Sequence, residues 1–224
     1  MGMQLPRWVW IGAILLSCVA GMVNVVGFLG FERHAVSHLT GTTSELGMAF
    51  VQGQWSSVAW LWSLLLAFCA GATFSGMVIQ DSVLQLGRRY GVVLVVEALL
   101  LLAAIPLFKH QQVWGALACA GACGMQNAMA TTFSGAVVRT THLSGMFTDL
   151  GIGLGHLLRG LPLPIRRLTL SGLIISGFLG GGMIGTWLFL RFGYDALLAP
   201  AAVTGATGVI YMLYRQWQLL RLRG

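Results

Sequence analysis

Long apolar runs separated by short polar breaks make up most of the chain. A membrane-spanning helix needs about 20 consecutive, mostly apolar residues. Six runs of about that length hold at most one charged residue each, and they cover residues 8–30, 55–80, 90–108, 111–138, 168–190 and 194–214. The pattern therefore predicts an all-α, polytopic membrane protein with about six transmembrane helices.

Two more polar segments, 35–52 and 139–158, interrupt this pattern, and both carry the same motif. Residues 37–47 and 141–151 read [Ser/Thr]-His-Leu-[Thr/Ser]-Gly-x-x-[Ser/Thr]-[Glu/Asp]-Leu-Gly, and the two copies lie 104 residues apart. Both segments are short and contain glycine. Irregular backbone survives at membrane depth only where it is buried or lines a wet cavity. The sequence therefore predicts two short re-entrant or broken helices.

The repetition extends beyond the motif. Gly21-Met22-x-Asn24 matches Gly124-Met125-x-Asn127 at an offset of 103, and Phe68-x-x-Gly71 matches Phe178-x-x-Gly181 at an offset of 110. These matches predict one integral membrane domain of two repeats, residues 1–109 and 110–224. Internal repeats in transporters often build a site at their interface, near the bilayer midplane.

The composition fits a lipid environment. Hydrophobic residues make up 57% of the chain and charged residues 8%, against about 25% charged residues in a soluble domain. The net charge of +7 is scattered between the apolar runs, so membrane topology explains it better than nucleic-acid binding. The sequence lacks nucleotide-binding loops and the HExxH and GxSxG signatures, so we expect neither an enzyme nor a bound cofactor or metal.

The basic residues also bear on topology. With six spans and a cytoplasmic N-terminus, ten basic residues fall inside and three outside, whereas eight spans give eight and five. Cytoplasmic loops carry an excess of Lys and Arg. Six spans are favoured, which makes the two repeats inverted and places both termini in the cytoplasm. Eight spans with parallel repeats remain the alternative.

The motif residues are the leading candidates for function. His38 with Glu45 and His142 with Asp149 are each seven residues apart, about two turns on one helix face. An ionisable group at the bilayer centre costs about 2.5–3.5 kcal/mol on insertion scales, so a role is expected. The acids could accept protons or cations, and the histidines could relay protons or contact a solute. The structural alternative is a capping box from Thr42 to Glu45, which the second copy lacks.

Further candidates surround the motifs. Asn24 and Asn127 could contact a solute or join helices, and Arg139 could bind an anion, pair with Asp149 or only set topology. Glycine and hydroxyl residues could start a half-helix whose amides suit an anion, or could simply pack closely, and they are Thr40, Gly41, Ser144 and Gly145. Glu97 is an unmatched acid, with Ala201 in its place in the second repeat.

These motifs resemble a known family. Residues 36–42, 134–145 and 148–151 are similar to the YoaK-like bacterial membrane proteins, domain of unknown function 1275. The resemblance covers nearly the whole chain and implies a multi-pass protein of the bacterial inner membrane. It implies no activity.

We therefore expect a membrane transporter or channel for a small solute or ion, with proton coupling left open and a central site formed by the two motifs. One alternative is an intramembrane metal-binding protein or enzyme that uses the His and carboxylate pairs. Another is a membrane scaffold or sensor subunit. The expected partners are the lipid bilayer and the solute, and the oligomeric state stays open.

Overall fold

The computed structural model describes residues 7–30, 38–79, 89–134 and 139–221. The stretches 31–37 and 80–88, which carry Arg33 and Arg88, lie outside that description. The described ranges contain eight α-helices and one short 3-10 helix. Their bounds are α1 Arg7–Gly30, α2 Leu39–Val51, α3 Trp55–Val78, α4 Arg89–Lys109, α5 Trp114–Ser134, α6 Leu143–Leu158, α7 Ile165–Phe192, η1 Gly193–Leu197 and α8 Leu198–Arg221.

Several helices are long and apolar enough to cross a bilayer. By length and composition, the described residues offer four such stretches, and they are Val9–Gly30, Trp55–Val78, Arg89–Lys109 and Ile165–Gln218. The last stretch contains α7 and most of α8. Large apolar side chains also lie exposed on the outer faces of these helices, among them Leu66, Met77, Leu179, Leu190 and Ile210. The protein is therefore an all-α, polytopic membrane protein.

The last predicted run, 194–214, differs from the observed helix. Residues Gly193–Leu197 form a 3-10 helix, and α8 begins only at Leu198. Pro200 lies in the first turn of α8, where its missing N–H removes no helical hydrogen bond. The salt bridge from Lys109 Nζ to Asp195 Oδ1, at 2.7 Å, ties this turn to the end of α4.

The two motif segments form the shortest α-helices of the described chain. The helices α2 and α6 have 13 and 16 residues, which at 1.5 Å per residue gives about 20 and 24 Å. A hydrocarbon core is about 30 Å thick. Each short helix packs against the long helix that follows it, α2 on α3 and α6 on α7. Gly53 and Gly160 take positive φ in the two connecting turns, a conformation that glycine adopts without steric cost.

The long helices pair between the two halves of the sequence. Helix α1 packs on α7, α3 on α5, and α4 on both α5 and α8. The closest approaches lie at glycines. A Cβ on Gly181 would overlap the carbonyl oxygen of Cys18, and one on Gly71 would overlap that of Gly121. Small residues let backbones approach in this way within membranes.

The order of contacts along each pair fixes the helix directions. Gly177 faces Ile14 and Gly185 faces Met22, so α1 and α7 run parallel. In the pair of α4 with α8, Gly91 faces Gly208 and Ala98 faces Gly205, so these helices run antiparallel.

The direction of α3 follows from the buried clusters. Leu64, in the first half of α3, packs in the cluster that holds residues 116 to 123 of α5. Ile79, just past the end of α3, packs in the cluster that holds Met125 and Met129. The helices α3 and α5 are therefore parallel, as α1 and α7 are.

Candidate functional site

The short helices α2 and α6 begin in the same way, directly after the motif histidines. His38 and His142 are the N-cap residues, with φ and ψ of −95° and 64° and of −90° and 58°. The first helical bonds run from Thr42 N–H to His38 O (3.2 Å) and from Met146 N–H to His142 O (3.4 Å). Neither N-cap side chain caps its helix. The N–H groups of the first turn therefore lack an acceptor within the helix.

The capping-box interpretation of Thr42 and Glu45 is wrong. Thr42 lies inside α2 and is not its N-cap residue. Its hydroxyl donates back to the His38 carbonyl oxygen at 3.2 Å, as hydroxyl side chains inside helices commonly do. The motif threonine therefore does not cap the first-turn amides.

The motif glycines make room for the imidazole rings. A Cβ on Gly41 would lie 2.6 Å from His38 Cδ2, and a Cβ on Gly145 would lie 2.6 Å from His142 Cδ2. Each ring therefore folds over the first turn of its own helix, in contact with the glycine three residues later. This contact accounts for glycine at both positions through close packing.

Both helix starts open into one cavity of about 610 Å³. The walls come from α1, α3, α5 and α7 together with the beginnings of α2 and α6. Its lining residues are Asn24, Phe28, His38, Leu39, Thr40, Phe68, Asn127, Thr131, Arg139, Thr141, His142, Leu143, Ser144 and Phe178.

Most of this lining comes in pairs that the repeat offsets relate. Asn24 pairs with Asn127 and Phe28 with Thr131 at an offset of 103. The second to fourth motif residues, 38–40, pair with 142–144 at 104, and Phe68 pairs with Phe178 at 110. Arg139 and Thr141 complete the lining, and their counterparts Ala35 and Ser37 lie outside the described residues. Each repeat thus contributes nearly the same set of residues to the cavity.

A buried polar network stands behind one wall of the cavity. Gln126 Nε2 donates to Glu97 Oε1 at 2.9 Å, and Thr140 Oγ1 donates to Gln126 Oε1 at 3.0 Å. Thr141 Oγ1 donates to Asn127 Oδ1 at 3.0 Å, and Asn127 Nδ2 donates to Cys123 O at 3.0 Å. These bonds join α4 and α5 to the segment that carries Arg139 and His142.

The motif acids lie elsewhere. Asp149 forms a salt bridge with Arg167 at 2.5 Å, and the Ser171 hydroxyl lies 3.4 Å from its other oxygen. Asp149 therefore pairs with Arg167 of α7 and not with Arg139, and this contact joins α6 to α7. Glu45 is half-buried on α2, and neither acid is among the cavity-lining residues.

The structure thus divides the candidate residues into three groups. Those that meet at the cavity are Asn24, His38, Thr40, Asn127, Arg139, His142 and Ser144. Gly41 and Gly145 lie beneath the two imidazoles. Glu45 and Asp149 are not among the lining residues. Within the described ranges, no three His, Cys, Asp or Glu side chains come together in a way that could hold a metal ion.

Sequence reasoning missed four residues of the lining. The sequence identified Phe68 and Phe178 only as matching positions of the two repeats, and it did not single out Phe28 or Thr131. The offset of 103 that relates Asn24 to Asn127 also relates Phe28 to Thr131, one helical turn further on. This offset is the sequence signal that could have identified Phe28 and Thr131 as equivalent positions near the two asparagines.

A family model described as "Protein of unknown function (DUF1275)" matches residues 12–210. No curated protein and no solved structure matches the chain.

Proposed function

Because the chain belongs to the DUF1275 family, whose description assigns no activity, we propose a function from the cavity itself. The protein is a membrane transporter or channel for a small solute or ion, and the cavity is its central site. The proposal is one of transport and not of catalysis.

The proposed architecture has six spans, two re-entrant helices and two inverted repeats. Six helices, α1, α3, α4, α5, α7 and α8, have at least 21 residues each, long enough to span. The helices α2 and α6 are too short to span alone. The reciprocal pairs α1–α7 and α3–α5 support two halves that are related by a pseudo-two-fold axis. The antiparallel pair α4–α8 supports an axis that lies in the membrane plane.

The observation that carries the proposal is the paired lining. Transporters with internal repeats place their solute where the repeats meet, near the midplane, and often at the ends of broken helices. Here α2 and α6 both start at the cavity. Phe68 and Phe178 lie close to the middle of α3 and α7, so the cavity lies about halfway along these helices.

The proposed roles follow from position. His38, His142, Asn24, Asn127 and Arg139 present polar side chains to the cavity and contact the solute. Asp149 anchors α6 to α7 through Arg167. We also place the protein in the bacterial inner membrane with both termini cytoplasmic, which the distribution of basic residues along the sequence supports.

The test is flux into proteoliposomes that contain the full chain. Light scattering follows the entry of potassium nitrate, potassium formate, urea and glycerol, with valinomycin present so that potassium can follow each anion. We expect flux of at least one solute above that of protein-free vesicles, and a decrease of about tenfold or more in the variant His38→Ala/His142→Ala. The control His156→Ala changes a histidine at the other end of α6, outside the lining, and should retain flux. Equal flux in all three proteins would remove the cavity histidines from the pathway.

A further inference from the structure

The charge of the cavity points to a class of solute. The ionisable side chains of the described lining are those of Arg139, His38 and His142, and no acidic side chain is among them. Arginine is always cationic, and histidine is either neutral or cationic. The electrostatic potential in such a pocket attracts anions and repels cations.

Arg139 is available to a ligand. The ion pairs Lys109–Asp195 and Arg167–Asp149 occupy other basic residues of the described chain and leave Arg139 out. Its neighbour Thr140 is fully buried and donates a hydrogen bond to Gln126, so the backbone that carries the guanidinium is anchored. A guanidinium presents a fork of donors that matches a carboxylate or an oxyanion.

The two helix starts add further donors to this charge. The N-cap residues of α2 and α6 do not cap the first-turn N–H groups with their side chains, and residues 38–40 and 142–144 line the cavity. The N-terminus of a helix carries a partial positive charge and binds anions through its N–H groups. The amides of Asn24 and Asn127 can also donate.

We propose that the cavity binds a small anion, either an inorganic oxyanion or a short carboxylate, with Arg139 as its principal contact. That this anion is also a transported substrate rests on the proposed function. As a statement about binding, the inference stands on the lining alone. A cavity of about 610 Å³ accommodates such an ion together with some of its water.

Binding is tested on the full-length protein in detergent. The probes are the sodium salts of nitrate, formate and sulfate at one sodium concentration, with sorbitol as the uncharged probe, and the readout is the shift in thermal unfolding midpoint. The variants are Arg139→Gln and Arg139→Lys. The matched control is Arg159→Gln, which removes an exposed arginine at the C-terminus of α6, outside the lining.

We expect a saturating shift with at least one anion, and none with sorbitol. The affinity should be unchanged in Arg159→Gln and about ten- to a hundredfold weaker in Arg139→Gln, as for loss of a charged hydrogen-bond partner. Arg139→Lys keeps the charge without the fork, so its affinity should be intermediate. Equal shifts in Arg139→Gln and Arg159→Gln, or no shift in the unaltered protein, would overturn the inference.

Flux measurements separate this inference from the proposed function. If anions bind through Arg139 but no solute crosses the vesicle membrane, the anion site is supported and the proposed transport function is refuted. If urea or glycerol crosses at a rate that neither the anions nor Arg139→Gln changes, transport stands and the anion inference falls.

Discussion

The side-chain amide of Gln126 donates a 2.9 Å hydrogen bond to Glu97 Oε1 in the interior of the bundle. Both residues are 2% exposed. The first repeat has Val23 in place of Gln126, and the second repeat has Ala201 in place of Glu97. The bond therefore belongs to one side of the cavity only, and Thr140 extends it toward Arg139. Hydrogen bonds thus connect one wall of the cavity to α4, although most of the lining residues come in equivalent pairs.

This bond predicts a cost for Gln126→Val, the residue that the first repeat uses. The change leaves Glu97 Oε1 without its donor, while the Thr140 hydroxyl keeps only its 3.4 Å contact with Asn127 Oδ1. An unsatisfied buried group costs about 1–3 kcal/mol. Unfolding by SDS in mixed micelles measures the loss of stability. Glu97→Gln keeps an acceptor for the Gln126 amide and should cost less. Equal stability of Gln126→Val and the unaltered protein would mean that the bond does not stabilise the fold.

The contact between each motif histidine and its glycine gives a second prediction. Gly41→Ala and Gly145→Ala should displace the imidazoles, because the added Cβ would lie 2.6 Å from Cδ2. The ring is the mobile end of an exposed side chain, so stability should change by less than about 0.5 kcal/mol. Solute flux or anion affinity should fall.

Two glycines of the same motif provide matched controls for that prediction. A Cβ on Gly47 or Gly151 meets nothing within 4 Å. The variants Gly47→Ala and Gly151→Ala should therefore leave flux and binding unchanged. If all four alanine variants behave alike, the imidazole positions do not matter to the solute.

The helix crossings give a third prediction, about stability alone. In Gly181→Ala the new methyl group would overlap the carbonyl oxygen of Cys18, so α1 and α7 must separate. Overpacking of this kind typically costs about 1–3 kcal/mol. Gly180→Ala is the control, because its Cβ meets nothing within 4 Å. Denaturation in mixed micelles should show that Gly181→Ala is less stable than Gly180→Ala. The reverse order would contradict the close crossing.

The second crossing, between α3 and α5, repeats this test. Gly71→Ala should push α3 away from Gly121 on α5, whereas a Cβ on Gly76 meets nothing within 4 Å. If the two crossings are equivalent, Gly71→Ala and Gly181→Ala should destabilise the protein by similar amounts. A clear difference would mean that the two helix pairs do not tolerate separation equally.

The salt bridge between Asp149 and Arg167 gives a fourth prediction. Arg167 has a side-chain exposure of 61%, whereas Asp149 has 11%. Asp149→Asn removes the charge and keeps a polar group, so it should cost at most about 1 kcal/mol. Arg167→Gln leaves a mostly buried carboxylate without its cation and should cost more, about 1–3 kcal/mol. Both variants should retain flux, because neither residue lines the cavity. Loss of flux in Asp149→Asn, with stability kept, would instead place this carboxylate in the pathway.

The apolar runs predicted most of the helices, since lipid leaves a spanning segment few alternatives to a helix. The predicted run 55–80 corresponds to α3 and the run 168–190 lies within α7. The start of α8 was missed because five residues of 3-10 helix precede Pro200. Hydropathy does not distinguish such a turn from the helix that it joins.

The site was predictable only as far as the repeats could relate residues to one another. Two matching motifs indicated that His38 and His142 have equivalent positions, and both line the cavity. The spacing of His142 and Asp149 could not predict that α7 brings Arg167 to the acid. That contact, like the bond from Thr140 to Gln126, depends on how distant segments pack. Sequence periodicity carries no information about such packing.

The pairing of α1 with α7 and of α3 with α5 has a consequence for biogenesis. During synthesis, α1 enters the membrane long before the ribosome has translated α7. Until then, the face of α1 that packs on α7 contacts lipid or a chaperone. Neither half can complete its interior alone. Polypeptides separated between α4 and α5 should accumulate stably only when they are expressed together in one cell.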